Sequence, residues 1–164
     1  TGMPVTVAEV GPGGRAGRVR VESPCLGAVD VFGGHPVAPH LGTIWDLDHA
    51  ELRAYLQGSV GPALAAGGAR VVLAGDLNAT LDHMQLRRTL DLGLRDAFEL
   101  VNAGWVPTYP APGTSTWHGL PIPPVAPIDH VLLSDGLTVT EVQTVNLAGA
   151  DHLGIVATVA APAP

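Results

Sequence analysis

A chain of 164 residues with 46% hydrophobic and 14% charged residues is long enough to bury a core. Its net charge of −7, with all eight basic residues arginine, excludes a Walker-type phosphate loop and a catalytic lysine and argues against a broad nucleic-acid-binding face. Cys25 stands alone, so neither an internal disulfide nor a cysteine-based zinc site can form within the chain, and no apolar run reaches the ~18 residues of a membrane span.

Thr1-Gly2-Met3 reads as mid-domain sequence entering a strand, without a signal-like character. Residues Val5 to Val10 and Arg18 to Glu22 alternate around Gly11-Pro12-Gly13-Gly14, which predicts a hairpin, with Arg15, Arg18 and Arg20 solvated. A third strand over Ala28 to Gly33 ends at His35. From Ile44 to about Leu64 the spacing of Trp45, Leu52, Tyr55 and Leu56 predicts an amphipathic helix that Gly67-Gly68 closes. Strand Val71 to Ala74 follows, then short helices around Met84 to Leu90 and Asp96 to Val101. The proline-rich stretch from Gly104 to Pro127 reads as a long ordered loop. Strands over Ile128 to Leu133, Leu137 to Val145 and Ile155 to Val159 precede an Ala-Pro tail that is expected to fray.

The segment Arg70-Val71-Val72-Leu73-Ala74-Gly75-Asp76-Leu77-Asn78-Ala79-Thr80 carries the most chemistry. It reads as an apolar strand opening into a polar turn, and strand alternation would put Asp76 and Asn78 on one side. A carboxylate there can hold a cation or a nucleophilic water, and a carboxamide can donate to a phosphoryl oxygen. Ordinary turn chemistry also favours Asp and Asn after a strand. His35, His40 and His49 are too loosely spaced, and too short of thiolates, for a zinc cluster. Gly58-Ser59-Val60-Gly61 lacks the Gly-x-Ser-x-Gly spacing of a nucleophile elbow.

Further motifs follow in order: His35-Pro36-Val37-Ala38-Pro39, then Gly75-Asp76-Leu77-Asn78-Ala79, Ile128-Asp129-His130-Val131 and Asp151-His152. Together they resemble the endonuclease/exonuclease/phosphatase family, the DNase I-like metal-dependent phosphoesterases, from about His35 to Val159. The resemblance implies an α/β (α+β) fold, the four-layer αββα sandwich. The family pattern opens with a strand bearing an Asn and another bearing a Gln-Glu pair whose Glu is a principal metal ligand. None of Glu9, Glu22, Glu51, Glu99 and Glu141 stands in that context. The chain is therefore expected to supply about the C-terminal half of the domain, over residues 1–164, with the N-terminal half or a second copy as its packing partner.

On that resemblance His152 is the general base and Asp129 its orienting partner. Asp151 and Asp76 match metal positions for Mg²⁺ or Mn²⁺, provided the chain bends between Gly149 and Gly154 so that Asp151 and His152 converge. Asp76 would also orient the nucleophile, Asn78 would hold a phosphoryl oxygen, and His35 would contact the phosphate and protonate the leaving oxygen. Thr108, in Thr108-Tyr109-Pro110, matches a cleft-lining segment and a phosphate contact. His130 alternates away from Asp129 and reads as a packing residue, Asp96 as structural, and Trp45, Trp105 and Trp117 as packing side chains. The implied activity is metal-dependent hydrolysis of a phosphate ester, weak or absent in this chain alone. Nucleic acid, phospholipid, polyprenyl pyrophosphate and inositol phosphate all remain open as substrates, nucleic acid being disfavoured by charge. If the parent protein carries transmembrane helices ahead of the domain, as similar bacterial proteins do, the domain faces outside. The alternative is a non-catalytic half-domain serving as an interaction module.

Overall fold

The computed structural model describes residues 4–163. The expected lead-in at Thr1–Met3 therefore lies outside the described residues, as does Pro164 at the end of the tail. Strands β1 (Val5–Val10), β2 (Ala16–Ser23) and β3 (Gly27–Gly34) form an antiparallel run, with a 3-10 turn at Pro12–Gly14 joining the first two. Cys25 lies exposed in the turn between β2 and β3. Helix α1 (Thr43–Ala66) crosses over to β4 (Val71–Asp76), which pairs parallel to β3. The chain continues through α2 (Met84–Leu90), β5 (Leu94–Asp96) and α3 (Ala97–Leu100). A small ribbon of β6 (Thr116–Trp117) and β7 (Leu120–Pro121) interrupts the proline-rich loop. Then β8 (Asp129–Ser134), β9 (Thr138–Asn146) and β10 (Leu153–Ala160) complete the described chain.

The principal sheet has the order β1-β2-β3-β4-β8-β5, and β9 and β10 form a second, two-stranded sheet. Alternation along β4 explains the layers. Val71 and Leu73 point into a core with Phe32, Trp45, Leu52, Leu56, Leu86 and Leu132, which is the face that α1 and α2 cover. Val72 and Ala74 point the other way, into a second cluster with Val29, Leu133 and Val139 that α3, β9 and β10 cover. In α1 the buried Trp45, His49, Leu52, Leu56 and Val60 recur every three or four residues, one stripe of a 3.6-residue helix. No described helix is long and apolar enough to cross a membrane.

Two expectations change. The segment from Asp96 to Val101 is not all helix: Leu94–Asp96 forms an edge strand on β8, and Asp96 then caps α3 by accepting from the Phe98 amide at 2.8 Å. Arg18 and Arg20 are not free in solvent. Both guanidiniums reach the carboxylate of Asp30 at 2.8 Å, and Arg18 lies over the Phe32 ring, 5.8 Å from its centroid. Their positions alternate onto the face that bears Asp30 and Phe32, so strand geometry brings the opposite charges together.

Candidate active site

The polar residues gather where β3, β4 and β8 end on one edge. The register sets Asp76 directly opposite Asp129, on adjacent antiparallel strands. At the same edge β3 and β4 come unusually close. A Cβ at Gly75, whose φ is +149°, would stand 2.1 Å from the Gly34 carbonyl oxygen, so only glycine fits there. That approach brings His35, just beyond β3, within 3.5 Å of Asp76, measured from Nε2 to Oδ2. Asp48 of α1 steadies the exit from β3 by accepting from the Val37 amide at 3.0 Å.

Asp76 and Asn78 do meet, but not by strand alternation. β4 ends at Asp76, and Asn78 adopts a left-handed φ of +47°. Its amide donates to Asp76 Oδ1 at 2.8 Å, an Asx turn, and its side-chain NH₂ donates to the Pro36 carbonyl at 2.9 Å and toward Asp76 Oδ2 at 3.3 Å. Asn78 thus ties the ends of β3 and β4 together. The Trp45 indole donates to the Asn78 carbonyl at 3.2 Å, so α1 holds this turn from below. A tryptophan at a core-facing helix position carries no sequence signal for that second job.

His152 enters from the bend between β9 and β10, where Gly149 takes φ +81°. Its Nδ1 stands 2.8 Å from Asp129 Oδ2, and its Nε2 faces Asp76 Oδ2 at 3.9 Å. With Nδ1–H donated to Asp129, the free lone pair is on Nε2 and points at Asp76. The Tyr109 ring lies against the imidazole, with centroids 4.7 Å apart. Burial disfavours the charged imidazole, but the Asp129 hydrogen bond and the charges of Asp129, Asp76 and Asp151 outweigh it and raise the His152 pKa. Asp76 is also raised: burial and the Asp129 charge outweigh the Asn78 amide and the two histidines.

Thr108 has a different place from the expected phosphate contact. It is fully buried, and its hydroxyl donates to the Ala126 carbonyl and accepts from the amides of Ile128 and Asp129, each at 3.3 Å. Its own carbonyl accepts from the Leu153 amide at 2.8 Å, so Thr108 braces the two segments that carry Asp129 and His152. Asp151 is exposed, its carbonyl held by the Ala111 amide. Its carboxylate lies outside the group whose ligand atoms converge: among the described residues that group is Asp76, Asp129 and His152, with ligand atoms within 4.8 Å of one another. His130 does alternate to the far face, where it bridges Asp96 Oδ2 and the Ala79 carbonyl, each at 2.8 Å.

A model of the endonuclease/exonuclease/phosphatase family matches residues 3–152. The chain belongs to this family. An endonuclease/exonuclease/phosphatase from Beutenbergia cavernae DSM 12333 superposes with a TM-score of 0.70 at 22% identity. That match covers 97% of this chain and 46% of the other. D. rerio TDP2, solved with a single-strand DNA product, gives 0.68 at 16% identity over 96% of this chain and 68% of its own. A mannosyl-6-phosphatase of Bacteroides thetaiotaomicron VPI-5482 gives 0.58 at 15%, over 88% and 56%. These likenesses establish the DNase I-like fold. The chain spans about half the length of the first of these structures. No curated protein sequence matches it.

Proposed function

We propose that this chain provides the water-activating part of a divalent-metal-dependent phosphoesterase. The Asp129–His152 pair, with Nε2 of His152 directed at Asp76, carries this reading. Asp129 fixes the tautomer and stabilises the imidazolium that forms when His152 takes a proton from a water between it and Asp76. Asp76 orients that water, Asn78 holds the turn that presents Asp76, and His35 meets the phosphate and returns a proton to the leaving oxygen.

The donor set suits a hard cation. Two carboxylates, Asp76 and Asp129, converge on one point, and Asp76 is the better ligand because Asp129 already holds His152. Asp151 joins them only if its bend rearranges. Mg²⁺ or Mn²⁺ bound there would neutralise phosphoryl charge and lower the pKa of a bound water. Two protein carboxylates leave most of an octahedral shell to water and substrate oxygens, so affinity in the isolated chain is weak.

The sheet face bearing Val29, Val31 and Val72 supports the half-domain reading. Beside the β9–β10 sheet it opens into an apolar cleft of about 490 Å³, continuing to Val21 and Val131. A further sheet, supplied by additional chain of the kind the longer relatives have, is the occupant we assign to it, with a second copy as the fallback in the isolated chain. Ultracentrifugation of the isolated chain tests this, and a clean monomer at high concentration with micromolar Mg²⁺ affinity opposes it.

The test of activity uses the intact protein against phosphomonoesters and phosphodiesters, with EDTA, Mg²⁺ or Mn²⁺. His152→Ala is expected to lose about 10²–10⁴-fold, the usual contribution of a general base. Retention of most activity by that variant on every ester overturns the assignment.

A further inference from the structure

Beside the reaction centre, and sharing Asp129 with it, lies a second cleft of about 190 Å³ lined by Leu81, Phe98, Trp105, Val106 and Pro127. Much of its polar lining is already engaged. Asp129 holds His152, the Asp96 carboxylate holds His130 and the Phe98 amide, His130 holds the Ala79 carbonyl, and Asp82 faces Arg87 at 3.5 Å. The Trp105 indole N–H and the exposed side of the Asp82 carboxylate are the polar side-chain groups left over, and most of the remaining lining is apolar. The Trp105 ring is 64% exposed at its mouth, far more than a packing role requires.

The charge around it is as informative. From Ala97 to Pro127 the sequence carries one formal charge, Glu99, and no arginine or lysine follows Arg95. The same segment exposes Trp117, Leu120 and Val125, while its Tyr109 ring rests on His152. A polyanionic strand lying along this segment would find no arginine or lysine in it to replace its counterions, and Arg87, beside the cleft, already faces Asp82. An uncharged chain would meet exposed apolar side chains on this segment, with the Tyr109 ring lying against His152.

Resting on the phosphoesterase reading above, we propose that the Leu81–Phe98–Trp105–Val106–Pro127 cleft is a substrate subsite that takes an aliphatic chain esterified to the reacting phosphate. The substrate is then an amphiphilic phosphoester and not a nucleic acid. The cleft has the volume of about six water molecules at ~30 Å³ each, which suits a short run of methylenes.

The experiment compares methyl, hexyl and phenyl 4-nitrophenyl phosphodiesters with the intact protein. It also measures tryptophan fluorescence on titration with hexylphosphonate and methylphosphonate, which bind without turnover. A fully buried methylene is worth about fourfold in affinity, so in this open cleft KM is expected to fall about 10- to 100-fold from methyl to hexyl. Trp105→Ala is expected to flatten that gradient and remove the hexylphosphonate response, whereas Trp117→Ala keeps both. Equal KM across the series, with hydrolysis intact, overturns the subsite and leaves the phosphoesterase reading standing. A preference for the phenyl ester over the hexyl ester also overturns it, in favour of a stacking platform. Failure to hydrolyse any ester while hexylphosphonate still binds through Trp105 sinks the phosphoesterase reading and supports the subsite.

Discussion

His49 makes stability depend on acid in a way that can be worked out from its surroundings. The ring is fully buried in α1, edge-on to Trp45 with centroids 5.2 Å apart, and neither nitrogen has a hydrogen-bond partner among the described residues. Burial first, and the positive charge of Arg53 second, push its pKa down from 6.5 to about 4. The Leu77 backbone and Asp48 pull the other way, but without a partner at hydrogen-bonding geometry they do not compensate. The sign follows. Between the two values the unfolded chain binds the proton and the folded chain does not, so stability is full above 6.5 and is lost as pH falls toward 4. That gap, at ~1.36 kcal/mol per pH unit, amounts to about 3 kcal/mol. Against the ~5–15 kcal/mol of a typical domain the loss is large. Urea unfolding followed by circular dichroism, on wild type and His49→Leu, from about pH 7 to about pH 4.5, isolates the effect. The variant stays neutral throughout, so the difference in stability between the two proteins grows on acidification by roughly one proton's worth per pH unit. Parallel pH profiles for the two proteins would refute the reasoning.

Three other substitutions probe the site. Asp129→Asn removes the partner that raises the His152 pKa, so the acid limb of the pH–rate profile moves to lower pH while the maximal rate falls about 10²-fold or more; an unmoved limb contradicts the pairing. Trp45→Phe deletes the indole donor to Asn78 and is expected to cost about 1 kcal/mol in thermal unfolding, with a fall in kcat that a merely buried tryptophan would not show. Gly75→Ala forces a Cβ against the Gly34 carbonyl, and a loss of about 4 kcal/mol or outright failure to fold is expected in chemical denaturation.

The parts of the fold that were legible in the sequence are those where one local pattern decides the outcome. The 3.6-residue stripe of Trp45, Leu52 and Leu56 marks α1, and the apolar runs before Asp76 and after Asp129 mark β4 and β8. Parity alone placed His130 on the face opposite Asp129. The three residues of β5 have no period of their own, and pairing with β8 makes them a strand. Asn78 departs from strand alternation because an Asx turn, a side-chain-to-backbone bond, takes over just where β4 ends. The pairing of Asp129 with His152 is what the family resemblance implies, and the two side chains stand 2.8 Å apart. Nothing in the order of motifs indicated that the Thr108 hydroxyl serves the backbone, or that the Asp151 carboxylate lies outside the cluster, because both follow from how the loop from Gly104 to Pro127 is tied down.

The turn carrying Cys25 offers a practical handle. It caps the end of β3 opposite His35, and a strand of eight residues at ~3.3 Å per residue puts roughly 26 Å between thiol and candidate site. A maleimide dye or surface linker placed there needs no engineered cysteine in this chain. A fluorophore at that distance is well placed to report energy transfer from a labelled ligand, and a tethered molecule presents the candidate site away from the support.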